Sequence, residues 1–467
     1  MTDAAPPPDL ARRLEGIVGP SGYSVDPAEC LVYGYDNSRR EAQPVAVVFP
    51  TTHAQVVELV ALCRTHQISL TARGRGTNTT GASVPVAGGI VASFERMDRI
   101  VRIDPANRLA VVEPGVLNGD IQAALKTHGL FWAPDPTSAP YCTIAGNIAC
   151  NAGGPRAVKY GATRENVLAL RAVAGTGEDF RCGKPTTKGA TGYDLVRLLI
   201  GSEGTLAIIT EATLKLTPLP TAKRSLRATY VDIDSAAAAV ARIMAQPVTP
   251  CALEFLDDEA LRLAREHGGE GVPAAGAMLI IEVDGEPDAL MSAVDAVSRA
   301  ARGTGLIDLH AANDAAEVDA IWAARKALSP ALRTLAPDKI NEDVVVPVSR
   351  IPALIAELKS ISTRHGIPIV CFGHAGNGNI HVNLLYRADD PRQAASAPAC
   401  LAAVFELVLS LDGTLSGEHG IGLLKREFMT RALDPHALAF MRRIKAQFDP
   451  DGLLNPGKLL PDETPER

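Results

Sequence analysis

The chain has 467 residues, enough for two or three domains with separate cores. A hydrophobic content of 46% with 21% charged residues is ordinary for a soluble globular protein. A net charge of −7 and a pI near 5.9 argue against nucleic acid or an anionic membrane as the main partner, so a small anionic substrate would need local basic residues. The first residues lack a basic stretch followed by an apolar one, so no secretory signal is visible, and no uninterrupted apolar run approaches the length of a bilayer. The eight cysteines are scattered without a Cys-x-x-Cys pair, which fits a reducing compartment and speaks against a structural zinc site or an iron–sulfur cluster. The expected location is cytoplasmic, with no transmembrane segment, while peripheral docking at the inner face of the membrane stays open.

Residues 1–12 read as a polar, proline-containing tail and 13–42 as a short helical lead-in. Val45 to Phe49 reads as a strand, Thr52-x-x-Gln55 as a capping box, and Val56, Val57, Val60 and Cys63 as one apolar helical face. Ile68 to Ala72 is the next strand, so the opening unit reads as βαβ with a parallel pair. Further strands are predicted at Gly89 to Ser93, Leu109 to Glu113, Val167 to Ala174 and Ile208 to Leu216. From about Lys223 the pattern changes to strands (Leu226 to Val231, Leu253 to Leu256, Met278 to Val283) alternating with alanine-rich helices (Ser235 to Ala245, Ala289 to Arg302). This predicts an α+β domain with an antiparallel sheet. An amphipathic run spans Ile421 to Met429, and a helix over Ala437 to Phe448 precedes a proline-stopped loop.

The first half carries several runs of small, hydrogen-bonding residues. After Ala72 comes Arg73-Gly-Arg-Gly-Thr-Asn-Thr-Thr-Gly81, whose backbone N–H groups and hydroxyls can approach a pyrophosphate because bulky side chains are absent. It is neither a Rossmann fingerprint nor a P-loop, since the third glycine and the Gly-Lys-Ser/Thr are missing. Pro134-Asp135-Pro-Thr-Ser, Thr143 through Gly154, Lys159-Tyr160-Gly161 and Gly201 through Thr205 are similar runs. Together they could line an extended dinucleotide.

In the second half, Ile367 to Phe372 and Ile380 to Tyr386 read as strands joined by a glycine loop. That places His374 near His381 and puts His381 and Asn383 on one face. Glu418 and His419 lie in a second glycine-flanked turn. Imidazoles beside a carboxylate form a donor set for a divalent metal.

In order and spacing, the glycine-rich runs resemble the FAD-binding half of the vanillyl-alcohol oxidase and p-cresol methylhydroxylase superfamily. The second half resembles its FAD-dependent D-2-hydroxyacid dehydrogenases, a branch that includes D-lactate dehydrogenases, D-2-hydroxyglutarate dehydrogenases and the flavin subunit of glycolate oxidase. The resemblance spans residues 40–458 and rests on five separated motifs. It implies an α+β chain: a lead-in at 1–42, a two-subdomain FAD-binding domain of the p-cresol methylhydroxylase type at 43–221, a ferredoxin-like antiparallel-sheet substrate (cap) domain carrying the metal site at 222–420, and a helical segment at 421–467 returning to the FAD domain.

By the same resemblance Arg73, Gly74, Arg75, Gly76, Thr77, Asn78, Thr79 and Gly81 form the pyrophosphate loop. Pro134, Asp135, Thr143, Gly146, Asn147, Asn151, Gly153, Gly154, Tyr160 and Gly161 form further flavin-contacting segments. Glu203, Gly204 and Ile208 match the segment at the adenine and ribitol end, and Asn455 matches the asparagine of the C-terminal return. His374, His381 and Glu418 match metal ligands, with zinc or manganese expected. Asn383 and Arg325 match substrate contacts, the arginine on the carboxylate with Lys339 as an assisting charge, and His419 matches the general base. Ala72, Arg75 and Asn377 depart from the family's more frequent residues. No histidine lies between Arg73 and Gly81, where some relatives attach the flavin, so noncovalent FAD is expected.

The implied reaction is oxidation of a D-2-hydroxy acid, D-lactate favoured, to the 2-oxo acid, by metal-assisted proton abstraction and hydride transfer to flavin N5. Electrons would pass to an external quinone, electron-transfer flavoprotein or cytochrome, and a homodimer is allowed. D-2-hydroxyglutarate or glycolate chemistry, a catalytically silent flavin subunit and a flavin-free metallohydrolase are the rival readings.

Overall fold

A computed structural model describes residues 7–267 and 271–462. Residues 1–6 of the expected tail lie outside the described residues. The chain divides into two compact units: Met1–Gly154, Gly161–Leu219 and Glu418–Arg467 make one, and Pro155–Tyr160 with Pro220–Gly417 make the other.

In the first unit the described residues form a four-stranded and a five-stranded sheet plus a two-stranded pair. The opening βαβ is present, with the His53–His66 helix capped by the Thr52 side chain on Gln55 N. The strands Ala46–Val48 and Leu70–Arg73 are not neighbours, however. Each pairs in parallel with Ile90–Ser93, which lies between them. The inserted strand carries Ile90, Val91 and Ala92, all fully buried, so a central place satisfies its apolar side chains better than an edge. Leu10, Leu14, Val56, Leu59, Leu70, Ile208 and Leu454 share this core. The second sheet is antiparallel in every pairing and packs around Trp132, Ile144 and Leu214.

The lead-in is two short helices, Leu10–Val18 and Pro27–Val32, separated by the Tyr23–Ser24 strand. The amphipathic run from Ile421 is not an α-helix but a chain of turns leading to a 3-10 turn at Arg426–Phe428. Its backbone donors are taken elsewhere: Ile421 N and Gly422 N by the Glu203 carboxylate, Leu423 N by Thr80 O. After the helix Pro435–Phe448 the chain returns to the Leu70–Arg73 strand, where Leu453 O accepts from Leu70 N and Asn455 N donates to Leu70 O.

The second unit carries a seven-stranded sheet, antiparallel in every pairing. Its order is Leu306–Ala311, Ala222–Tyr230, Ala277–Gly285, Ala252–Asp257, Ile369–His374, Asn379–Tyr386 and Asp338–Val345. Hydrophobic periodicity does not predict the first and last of these. The last runs Asp-Lys-Ile-Asn-Glu-Asp-Val-Val, a composition that strands ordinarily avoid, yet Glu342 and Asp343 are buried.

The helices Asp258–Glu266 and Ala315–Leu335 cover a face bearing Leu256, Val370, Phe372 and Leu385. Among the described residues one helix, Pro391–Ser410, passes for a membrane span by length and average hydropathy despite Arg392 and Glu406. Its stripe Ala397, Cys400, Val404 and Val408 is buried against its own unit, as in the layer helix of a globular fold.

Candidate functional site

The first glycine loop leaves the Leu70–Arg73 strand with the side chains of Arg73, Arg75 and Asn78 already engaged. Arg73, 7% exposed, donates through Nη1 to Tyr35 O at 2.6 Å and stacks on the Tyr33 ring, so it braces the loop from behind. Arg75 lies 3.6 Å from Glu95. Asn78 Oδ1 accepts from Thr80 N and Ala82 N, and its Nδ2 donates to His419 O at 3.0 Å. That amide therefore ties the loop to the turn carrying His419.

Two observations fit this loop to a phosphate-bearing cofactor. The Thr79 hydroxyl is buried with no hydrogen-bond partner among the described residues, a position that a ligand acceptor or donor would satisfy. Gly76 is left-handed at φ +65°, and a Cβ on Gly74 would collide with the Thr143 hydroxyl.

The runs at 134–138, 143–154 and 201–205 belong to the same unit. Thr143 caps the Ile144–Cys150 helix through Gly146 N. Asn147, 4% exposed, accepts from Asn118 Nδ2 at 3.0 Å, and that amide also holds Pro134 O. Asn151 caps the helix in the left-handed region and accepts from Arg164 N. Asp135 N donates to Gly153 O, and Gly154 passes so close to Asp135 that a Cβ would meet its backbone.

Glu203 and Asn455 act as internal clamps. The Glu203 carboxylate accepts from Ile421 N at 2.6 Å and Gly422 N at 2.8 Å. Burial pushes it up to about 7 despite those donors and the nearby charges of Lys458 and Lys425. Asn455 Nδ2 donates to Ala82 O and Glu203 O, and its Oδ1 accepts from Lys458. Ile208 is core, and Gly204 is left-handed at φ +70°. Tyr160 belongs to the other unit, where its hydroxyl donates to Asp284 at 2.8 Å; Gly161 begins the return at φ +78°.

In the second unit the side chains come from central strands. Phe372 lies opposite His381 and His374 opposite Asn379, with Gly378 left-handed in the turn between the strands, so the two imidazoles stand with ring centroids 5.2 Å apart. Glu254 lies opposite His374 and accepts from its Nδ1 at 2.5 Å. Its other oxygen accepts from Arg325 Nε at 3.0 Å, and the Arg325 guanidinium lies over Phe372. Burial alone would push the Glu254 carboxyl up, but the His374 and Arg325 charges together hold it well below the usual carboxylate range.

Asp343, opposite His381, accepts from Ser416 Oγ and Gly417 N. Glu418 is the next residue of the chain, and one ligand atom from each of His374, His381 and Glu418 lies within 4.8 Å of the others. Two imidazoles and a carboxylate, with a carboxylate behind one imidazole, are the donor chemistry of an open divalent-metal site. Asn383 is fully buried, donating to Val370 O and His381 O while its Oδ1 lacks a donor among the described residues. Lys339 lies opposite Leu385 on the same edge pair of strands.

Neither periodicity nor the family resemblance points to Glu254 or Asp343. A lone glutamate inside the strand Ala-Leu-Glu-Phe-Leu-Asp was the available signal for the first, because a buried charge requires a partner.

A model of the C-terminal domain of FAD linked oxidases matches residues 219–459, and a FAD binding domain model matches 44–183. The chain belongs to the FAD-linked oxidases. It is thus an oxidoreductase with a FAD-binding domain. "Glycolate oxidase subunit GlcD" of Bacillus subtilis (strain 168) is 36% identical over 461 residues, 98% of each chain. A "D-lactate dehydrogenase" of Anaerostipes hadrus is 34% identical, covering 92% of this chain and 91% of that protein. A "D-2-hydroxyglutarate dehydrogenase" of Stutzerimonas stutzeri (strain A1501) is 33% identical, covering 98% and 99%. The fold is shared with the crystal structure of p-cresol methylhydroxylase with substrate bound, at a TM-score of 0.79 and 15% identity over 96% of this chain and 95% of that one.

Proposed function

We propose that this protein oxidises a D-2-hydroxy acid, D-lactate in first place, to the 2-oxo acid. The observation that carries the reading is the convergence of His374, His381 and Glu418, with Arg325 held beside them through Glu254. Noncovalent FAD, cradled by the Arg73–Gly81 and Thr143–Gly154 runs, supplies the hydride acceptor that no side chain provides. A divalent ion, zinc or manganese, on the three ligands would supply Lewis acidity at the substrate hydroxyl.

The chain's own residues do the rest. Arg325 uses Nε on Glu254 and offers its terminal nitrogens to the substrate carboxylate as a paired donor. Lys339 adds positive charge for the same group. Asn383, with its amide N–H groups committed to backbone carbonyls, presents Oδ1 to a donor such as the hydroxyl. His419 takes the hydroxyl proton as general base, and Asn78 and Thr80 fix the backbone that carries it. The electrons would leave to an external quinone, electron-transfer flavoprotein or cytochrome.

The relative named as a glycolate oxidase subunit favours a second reading, in which the chain is the flavin subunit of a larger oxidase. Steady-state turnover of D-lactate, glycolate and D-2-hydroxyglutarate with an artificial electron acceptor tests both. The proposal expects the highest kcat/KM for D-lactate, turned over by the chain alone. Preference for another of these acids would reassign the substrate, and no turnover without added subunits would favour the subunit reading.

A further inference from the structure

Glu254 stands in the middle of an otherwise apolar strand and is 0% exposed. A carboxylate in such a place persists only where cations and donors compensate its lost hydration. Its oxygens are divided between two partners: Oε1 takes His374 Nδ1 and Oε2 takes Arg325 Nε. Strand register sets the first contact, and the Ala315–Leu335 helix delivers the second. The Arg325 guanidinium is held further by the Phe372 ring, 4.5 Å away, and that ring packs 5.8 Å from His381.

We propose that Glu254 is the positioning residue that couples metal retention to recognition of the substrate carboxylate, orienting His374 through one oxygen and aiming Arg325 through the other. The inference rests on the reading of His374 as a metal ligand and Arg325 as the carboxylate clamp, and it assigns the link between them. A carboxylate on Nδ1 fixes the imidazole tautomer and leaves Nε2 as the ligating atom. The bond to Nε holds the guanidinium plane, so its terminal nitrogens face one direction with little rotational freedom left to lose.

Sharing one anion makes the two tasks interdependent, with a definite sign. Without the Glu254 charge, the Arg325 guanidinium is uncompensated beside His374 and opposes a bound dication. Without Arg325, the whole carboxylate acts on His374, which favours the dication.

The test uses the full chain loaded with FAD. Zinc affinity is read by chelator competition, and oxalate serves as a carboxylate probe read by its perturbation of the flavin spectrum in zinc-loaded protein. Glu254→Gln should weaken zinc roughly 10- to 100-fold, the range for loss of a partner behind a ligand, and should weaken oxalate as well. Arg325→Met should weaken oxalate while leaving zinc affinity unchanged or tighter. Glu254→Asp keeps the charge but shortens the reach, and it should fall between wild type and Glu254→Gln in both readouts.

A change in zinc affinity below about threefold in both Glu254 variants would overturn the proposal. So would equal weakening of zinc by Glu254→Gln and Arg325→Met, because that is the mark of a generally loosened unit. If Glu254→Gln does not fold, Glu254→Asp and Arg325→Met carry the same contrast. Wild-type protein that retains neither zinc nor manganese would remove the metal reading itself and this proposal with it, a result distinct from flat variants of a zinc-binding wild type.

Discussion

In the glycine-rich unit Asn78, Glu203 and Asn455 spend their side chains on backbone groups, which leaves a ligand the glycine loops and the Thr79 hydroxyl. In the sheet unit the arrangement is inverted: His374, His381, Glu254 and Asn383 project from strands whose backbone groups are paired in the ladder. Backbone recognition tolerates side-chain change and suits a cofactor held by its phosphates. Side-chain recognition is intolerant of change and suits chemistry that needs specific donors, acceptors and charges.

Substitutions should therefore separate the two kinds of site. His419→Ala should lower turnover by roughly 10²- to 10⁴-fold with flavin content unchanged; turnover near wild type, measured on flavin-replete protein, would take the base role from it. Arg325→Met should raise KM for the hydroxy acid by about 10- to 100-fold through loss of a charge-assisted bond, with a smaller change in kcat. An unchanged KM would return Arg325 to a purely structural place.

A pH effect comes next. Burial pushes the carboxyls of Glu203 and Asp257 up to about 7, from ordinary values of 4.5 and 3.8. The folded chain therefore holds protons that the unfolded chain releases, so the stability from these groups is full below about pH 4 and is lost as pH rises through about 7. Melting temperature should fall across that window in wild type and fall less in Asp257→Asn. Equal slopes would contradict the shift. The smallest effect belongs to the backbone site: Thr79→Val should weaken FAD by about 2- to 10-fold, the worth of one net hydrogen bond, without changing the melting temperature of the apoprotein. A loss of several hundredfold would break the comparison, because it would make a side chain dominant there.

Much of this was legible in the chain because it follows from periodicity and small-residue spacing. The Ile369–His374 and Asn379–Tyr386 hairpin brings His374 and His381 together as alternation and the glycine loop predict. The strand Asp338–Val345 was not legible, since its Asn341, Glu342 and Asp343 are chosen for what they hold rather than for strand propensity. Glu254 is not legible in the sequence because its partners lie 71 and 120 residues away in the chain. The turns after Ile421 read as a helix because apolar spacing carries no trace of the Glu203 carboxylate that takes their N–H groups.

The most direct measurement is anaerobic mixing of the metal-replete, FAD-loaded protein with D-lactate, L-lactate and D-2-hydroxyglutarate while flavin absorbance is followed. Bleaching by a D-acid, abolished by a chelator and restored by zinc or manganese, is the expected result. Bleaching that survives complete metal removal, or a flavin that none of these acids reduces, would contradict it.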